Sequence, residues 1–226
     1  MAASNNKWRL TADGKMFRKA RVTFANGDVY DGEWVDGRRE GRGVYLSASG
    51  DKYVGEFVGN MREGFGVLIR VDFERHGKYY RGSRYEGHWK AGKKHGKGLW
   101  IIGDGGSVDG EFADDKIHGR AVYTYPNGDR FSGHFLRGIR TGTGTLEFAS
   151  GDTYDGEMQS GRYHGHGTYT FADGGGSYSG SWHRGVKHGR GRRVFRNGTT
   201  YSGDYKNGFM HGEGTMCMAN GDVYVG

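Results

Sequence analysis

Five of the ten histidines, His95, His118, His164, His188 and His211, recur at intervals of 23 or 24 residues, or of twice that length. They are the first residues to test for metal or acid–base chemistry. A metal needs imidazole nitrogens about 2.0–2.1 Å away, whereas like residues one two-stranded unit apart lie roughly 10 Å from each other. These histidines therefore cannot share an ion, and the expectation is a turn residue bonded to backbone. Two glycine-rich stretches, Gly103-Asp104-Gly105-Gly106-Ser107 and Gly174-Gly175-Gly176-Ser177, superficially resemble phosphate cradles. A phosphate loop opens onto a helix N-terminus, and no helical pattern follows either stretch, so both are expected to be turns. Sets of His, Ser, Asp and Cys217 can be assembled on paper, but a periodic chain spreads them out instead of converging them on a pocket. No catalytic residue, metal or cofactor is expected.

Two sets of residues survive this weighing. A basic set comprises Arg38, Arg39, Arg42, Arg62, Lys93, Lys94, Lys97, Lys116, Arg140, Arg162, Lys187 and Arg190. Its members repeat with the period of the chain and are expected along one edge, where they would meet an anionic leaflet or an acidic protein at about 1 kcal/mol per cation. An aromatic set comprises Tyr30, Trp34, Tyr85, Trp89, Tyr154, Tyr178, Trp182, Tyr201 and Tyr205. These rings are expected on one face, either as a groove for a partner or as the core itself. Interleaved basic and aromatic residues also suit single-stranded nucleic acid. The 26 acidic residues, among them Asp31, Glu33, Glu56, Asp155 and Glu157, rank that reading last.

The elements that position these residues follow from an internal repeat. Tyr30, Tyr53, Tyr85, Val108, Phe131, Tyr154, Tyr178, Tyr201 and Tyr224 open similar segments, with gaps of 23, 32, 23, 23, 23, 24, 23 and 23 residues. Each opening alternates aromatic or apolar residues with Gly, the period of a half-buried strand. A Gly pair eleven and thirteen residues after the opening residue leads into a second alternating strand, as at Gly41/Gly43 and Gly165/Gly167. Each unit closes on a turn such as Asn26-Gly27-Asp28 or Asn127-Gly128-Asp129. The Asn-Gly pair predicts a type I′ hairpin there. The architecture is an all-β, elongated single-layer array of consecutive antiparallel β-hairpins, with aromatics of one unit expected over glycines of the next.

The pattern, approximately YxGxWxxGxxxGxG, resembles the MORN (membrane occupation and recognition nexus) repeat. Eight copies cover residues 30–226 with a truncated ninth, and an insertion falls near residues 70–84. Residues 1–29 form an N-terminal segment with a degenerate capping repeat, retaining Gly14, Val22, Phe24 and the Asn26-Gly27-Asp28 turn. The fourth copy departs most, with Val108 for Tyr, Asp115 for Gly and Ala121 for Gly. The resemblance implies a concave aromatic face able to hold an extended or helical protein segment, and a homodimer formed through the C-terminal end. It also implies kinship with arrays attached to lipid kinases, a lysine methyltransferase, membrane-junction proteins and protozoan cytoskeletal proteins, though no catalytic signature of such enzymes occurs here.

Composition agrees with this reading. The 226 residues include 46 Gly and 1 Pro, with 14% aromatics, which suits neither collagen nor a disordered linker. The net charge of +7 favours acidic partners. A single cysteine points to a reducing, intracellular setting, and no apolar run approaches the roughly 20 residues that span a bilayer. The expected function is a cytoplasmic scaffold, cytoskeletal or peripheral to a membrane, that binds protein partners. The alternatives are a peripheral anionic-phospholipid module and the regulatory region of a lipid kinase or methyltransferase.

Overall fold

The computed structural model describes residues 7–75 and 78–226; the first six residues of the N-terminal segment and His76-Gly77 of the insertion lie outside the described residues. Two compact units divide the chain at Lys116/Ile117. The first holds β1 (Arg9–Leu10), β2 (Met16–Thr23), β3 (Val29–Val35), β4 (Arg38–Leu46), β5 (Lys52–Val58) and β6 (Met61–Arg70). It continues with β7 (Phe73–Arg75), β8 (Lys78–Tyr80), β9 (Ser83–Lys90), β10 (Lys93–Ile101) and β11 (Ser107–Ala113). The second holds β12 (Lys116–Thr124, its first residue closing the first unit), β13 (Arg130–Leu136), β14 (Ile139–Glu147), β15 (Thr153–Gln159) and β16 (Arg162–Thr170). It ends with β17 (Gly176–His183), β18 (Val186–Phe195), β19 (Thr200–Lys206), β20 (Phe209–Cys217) and β21 (Val223–Val225). Within each unit the sheet strands pair antiparallel with their sequence neighbours. The exception is the insertion.

There β6 pairs directly with β9, Leu68 opposite Tyr85 and Arg70 opposite Ser83. The additional residues leave the sheet as a separate ribbon whose backbone pairs position 73 with position 80. The Asp72 carboxylate ties its base, accepting from the Gly82 amide at 2.6 Å and from the Tyr79 hydroxyl. At the other end of this unit, β2 pairs with β3 from Phe17↔Val35 to Thr23↔Val29, so the capping segment continues the array.

The turns divide differently from the sequence expectation. The loop at Asn26-Gly27-Asp28 bonds Gly27 N–H to Phe24 O at 3.0 Å and Phe24 N–H to Asp28 O at 2.8 Å. Only Gly27 has positive φ, 87°. That is a type I turn followed by a left-handed Gly, and not type I′. The pairs with positive φ at both residues lie inside each hairpin, as at Asp36-Gly37 (49° and 77°) and Arg137-Gly138 (52° and 87°). Two-residue loops need the I′ twist, whereas the longer closing loop takes its reversal from the bulge. Gly174-Gly175-Gly176 is a turn with one additional residue, Gly175 N–H bonding Ala172 O at 2.9 Å.

The two glycines of each pair serve different ends. Gly41, φ 61°, sits where the register slips between Gly32 and Glu33, a bulge that an L side chain enters only with strain. Gly43 has ordinary strand backbone, but a Cβ there would lie 2.5 Å from Tyr30 Cζ. The Tyr30 ring covers Gly32 and Gly43 of its own unit and donates its hydroxyl to Glu33 O, 3.1 Å. This corrects the expectation that each ring lies over the next unit's glycines. Tyr53, Tyr85, Tyr154, Tyr178 and Tyr201 make the same hydroxyl bond three residues on, at 2.7–3.2 Å.

Candidate partner-binding face

The aromatic side of each unit has three tiers. Its floor is the expected aromatic set: Tyr30, Tyr154 and Tyr178 are 0% exposed, Tyr85 2%, Trp89 3%, Tyr205 4%, Trp34 6%, Trp182 and Tyr201 7%. The rings meet edge to face. In the first unit Tyr30 packs on Trp34 and Phe57, Tyr53 on Phe57 and Trp89, and Tyr85 on Trp89 and Phe112, all at 5.1–5.4 Å. In the second unit Tyr178 joins Trp182 and Tyr205, and Tyr205 joins Tyr201, at 5.0–5.4 Å. Each such pair adds about 0.5–1.5 kcal/mol beyond burial. Burial pushes the Tyr30 and Tyr178 hydroxyls up to about 12. These nine rings are therefore the core, and a partner would meet what lies above them.

The second tier is cationic in five of the eight copies; Ile117, Tyr163 and Met210 hold the position in the other three. The ninth residue after the opening lies across from the Trp of the same hairpin, Trp34↔Arg39 and Trp182↔Lys187. Arg39 stands 5.1 Å from the Tyr45 ring, Arg62 4.2 Å from Trp89, Lys94 3.6 Å from Trp100, Arg140 5.5 Å from Phe131 and Lys187 4.8 Å from Tyr178. Each contact is worth about 0.5–2 kcal/mol. The arginines also staple the array: Arg39, Arg62 and Arg140 donate to Asn60 O, Gly92 O and Gly161 O in the following unit's turn, at 2.8–3.0 Å. A lysine has no second nitrogen for this. The ammonium groups of Lys94 and Lys187 make no hydrogen bond or ion pair among the described residues. Burial draws Lys94 down to about 8, with Arg70 and Arg62 adding to the fall and Asp115 opposing it. Burial, then Arg193, lowers Lys187.

The third tier consists of half-buried residues fifteen and seventeen after the opening, such as Tyr45, Trp100, Tyr125, Phe148, Tyr169 and Phe171. With the cations they wall two cavities. One, about 380 Å³ in the first unit, is lined by Arg62, Leu68, Arg70, Ser83, Lys94 and Trp100. The other, about 600 Å³ in the second unit, is lined by Tyr125, Arg140, Leu146, Phe148 and Tyr163.

The rest of the expected basic edge lies elsewhere. Arg38, Arg42, Lys93, Lys97, Lys116, Arg162 and Arg190 are exposed, and strand alternation turns Arg42, Lys97 and Arg190 away from the rings. There they face acids on the next strand: Arg42↔Glu56, Lys97↔Glu111 and Arg190↔Asp204, the last pair 3.8 Å apart. Lys93 lies 3.5 Å from Asp114. One stripe in the sequence is thus two populations, half-buried cations over rings and exposed cations, of which Arg42, Lys93, Lys97 and Arg190 lie near carboxylates.

Sequence reasoning missed several residues here. Arg193, at a position otherwise Tyr, Trp, Leu or Met, lies 4.0 Å over Phe171, donates to Gly175 O at 3.1 Å and leaves its Nη1 buried without a partner among the described residues. A cation interrupting the apolar position was the available signal. His183 stands between His164 and His188, ring centroids 5.2 and 5.8 Å away, because position five of one hairpin pairs with position ten of the last. Among the described residues no three His, Cys, Asp or Glu side chains are arranged to hold a metal ion. Asp115, where the pattern has Gly, takes φ 67° and accepts the Lys94 amide at 2.9 Å, as Asn60 does for Arg39 at 2.8 Å. No helix among the described residues is long and apolar enough to cross a membrane.

Among solved structures, the TCP10 domain of Danio rerio CPAP, in complex with a peptide of Danio rerio STIL, is 14% identical over 96% of this chain and 96% of that one, with a TM-score of 0.43. The SAS-4 (dCPAP) TCP domain of Drosophila melanogaster, in complex with a proline-rich motif of Ana2 (dSTIL), is 10% identical over 92% and 88%, with a TM-score of 0.39. Likeness this loose assigns no partner. The MORN repeat model matches residues 30–52, 53–75, 85–107, 109–130, 131–153, 154–176, 178–200 and 201–223, and with most of its length so matched the chain belongs to the MORN repeat family.

Proposed function

We propose that this chain is a MORN-repeat scaffold whose ring-bearing face binds an acidic and apolar segment of a protein partner. The carrying observation is the middle tier, cations half-buried over aromatic rings between apolar walls, with two lysine ammonium groups that make no hydrogen bond or ion pair among the described residues. Such a surface rewards carboxylates next to hydrophobic side chains, because attraction strengthens where water is excluded. The nine floor rings hold this surface in place from beneath. The test replaces residues of the upper tiers, Trp100→Ala and Phe148→Ala, and measures partner capture alongside circular dichroism. Capture should fall while the strand signal stays; unchanged capture by both variants would sink the reading.

The scaffold would work inside the cell, tethering its partner to a cytoskeletal or membrane-proximal structure, and dimerisation would proceed through the C-terminal hairpin. A second reading, peripheral attachment to anionic phospholipid, draws on the exposed set Arg38, Arg42, Lys93 and Lys97. The carboxylates opposite Arg42 and Lys97 weaken it. Liposome co-sedimentation with Arg38→Glu and Lys93→Glu separates the two: charge reversal should abolish a lipid interaction and leave protein capture intact. Regulation of a lipid kinase or methyltransferase would require a catalytic domain from a partner or from further sequence.

A further inference from the structure

The cavity of about 380 Å³ in the first unit differs from the rest of the face because three cations border it with too few anions. Arg62 and Lys94 come from the middle tier. Arg70 stands at position seventeen, which holds Phe148 in the fifth copy and Phe171 in the sixth, and it is brought there as the last residue of β6 before the insertion ribbon. The three repel: Arg70 lowers the proton affinity of both Arg62 and Lys94. Two carboxylates answer them. Asp51 lies 4.0 Å from Arg70, and Asp115 spends one oxygen on the Lys94 amide. One positive charge is left uncompensated, beside a Ser83 hydroxyl that makes no hydrogen bond among the described residues. The walls, Leu68 and Trp100, are apolar.

We propose that this cavity is a carboxylate subsite, receiving one Asp or Glu side chain of the segment bound along the face, with Lys94 and Arg62 as its ligands and Trp100 against the flanking apolar residue. The proposal rests on the protein-binding reading above and names the chemistry at one point of it. A single carboxylate neutralises the surplus, whereas a phosphate dianion would overshoot it and repel Asp115 and Asp51. Charge-assisted bonds in a half-buried site are the strong kind. Binding is also linked to protons. The groups facing Lys94 are Arg62, Arg70, Asp115 and the Tyr85 ring, whose hydroxyl burial holds far above the working range. Since Lys94 titrates near 8, affinity should be greatest below that pH and fall as the ammonium deprotonates.

The full chain is titrated with sodium acetate against sodium chloride at matched ionic strength, following the Trp100 indole and Lys94 side-chain resonances. It is then titrated with fluorescent ten-residue peptides alternating Leu with Glu, with Gln or with phosphoserine. Acetate should shift both resonances saturably and chloride should not. The Glu peptide should bind at least tenfold tighter than the Gln peptide at pH 7 and lose that advantage by pH 9. Lys94→Met should erase it, and Lys94→Arg should keep it at both pH values. Equal binding of Glu and Gln peptides, tighter binding of phosphoserine, or an unchanged Lys94→Met profile would overturn the subsite while leaving the groove standing. Acetate shifts with no peptide bound would do the reverse.

Discussion

Replacing Gly43 by Ala adds one methyl group to a strand position with ordinary backbone, so its cost isolates the contact between ring and glycine. The new Cβ would sit 2.5 Å from Tyr30 Cζ, against a normal carbon separation of about 3.5–4.0 Å, so the ring would have to move by about 1 Å. It has nowhere to go. Tyr30 is fully buried, held edge-on by Trp34 and Phe57 at 5.1 Å each and by its bond to Glu33 O. Yielding sacrifices part of two ring contacts, about 0.5–1.5 kcal/mol each, and a hydrogen bond of about 1 kcal/mol. The lower chain entropy of Ala returns about 0.5–1 kcal/mol. Gly43→Ala should therefore destabilise by about 2 kcal/mol. In a Tyr30→Leu background the same substitution should cost almost nothing, a coupling of at least about 1.5 kcal/mol. The capping copy is a natural precedent: it lacks the opening Tyr, and Ala20 occupies the equivalent position opposite Gly32, 5% exposed. Repeat arrays melt locally, so the assay is amide hydrogen exchange across β3, β4 and β5 together with urea unfolding. An equal cost in both backgrounds would refute the argument.

Tyr154→Phe removes the 2.7 Å bond to Glu157 O and should cost about 1 kcal/mol, read as faster exchange in β15 and β16. Trp89, 3% exposed, should cost about 3–5 kcal/mol as Ala, whereas Trp100→Ala should leave urea unfolding within about 1.5 kcal/mol of the parent. Replacing residues 70–83 by the five residues Ser-Ala-Ser-Gly-Asp should keep the fold, because Ile69 already pairs with Arg84 as Leu46 pairs with Lys52; circular dichroism and melting within about 1 kcal/mol check it. Lys94→Met should stabilise at pH 7. The native pKa near 8 lies below the free value of 10.5, so the penalty of holding the charged form is full below pH 8 and disappears as pH rises to 10.5. Discounted for partial exposure, the gain is on the order of 1 kcal/mol, and urea titrations at pH 7 and 10.5 should show it shrinking.

Period and strand alternation were open to sequence reasoning because each residue type carries one dominant constraint, and Tyr, Trp and paired Gly in register leave little choice. Three features escaped it. The type I′ turn was assigned to Asn-Gly, since residue preference cannot reveal loop length when a bulge adds a residue. The ring was placed over the following unit, since alternation fixes a face but not the direction a side chain leans. The basic residues form one set in sequence because all of them repeat with the period of the chain, which places positions along an edge without saying which face each one takes. The bulge at Gly41 and strand alternation set nine apart from twelve, and only coordinates show how.

That last separation bears on how a repeated surface acquires specificity. Where position nine is arginine, as at Arg39, Arg62 and Arg140, the side chain is consumed in stapling the next turn, and the rings beneath are buried. Chemistry remains where a unit carries something else: Lys94 and Lys187 where three other copies have Arg, Arg70 at a position that is elsewhere Ser, Ile, Tyr, Phe or Met, Arg193 in place of an apolar residue, and the insertion that joins Arg70 to Ser83. Lys94→Met should accordingly remove the preference for a Glu-bearing segment without lowering stability. Exchanging two pattern-obeying units should do the opposite.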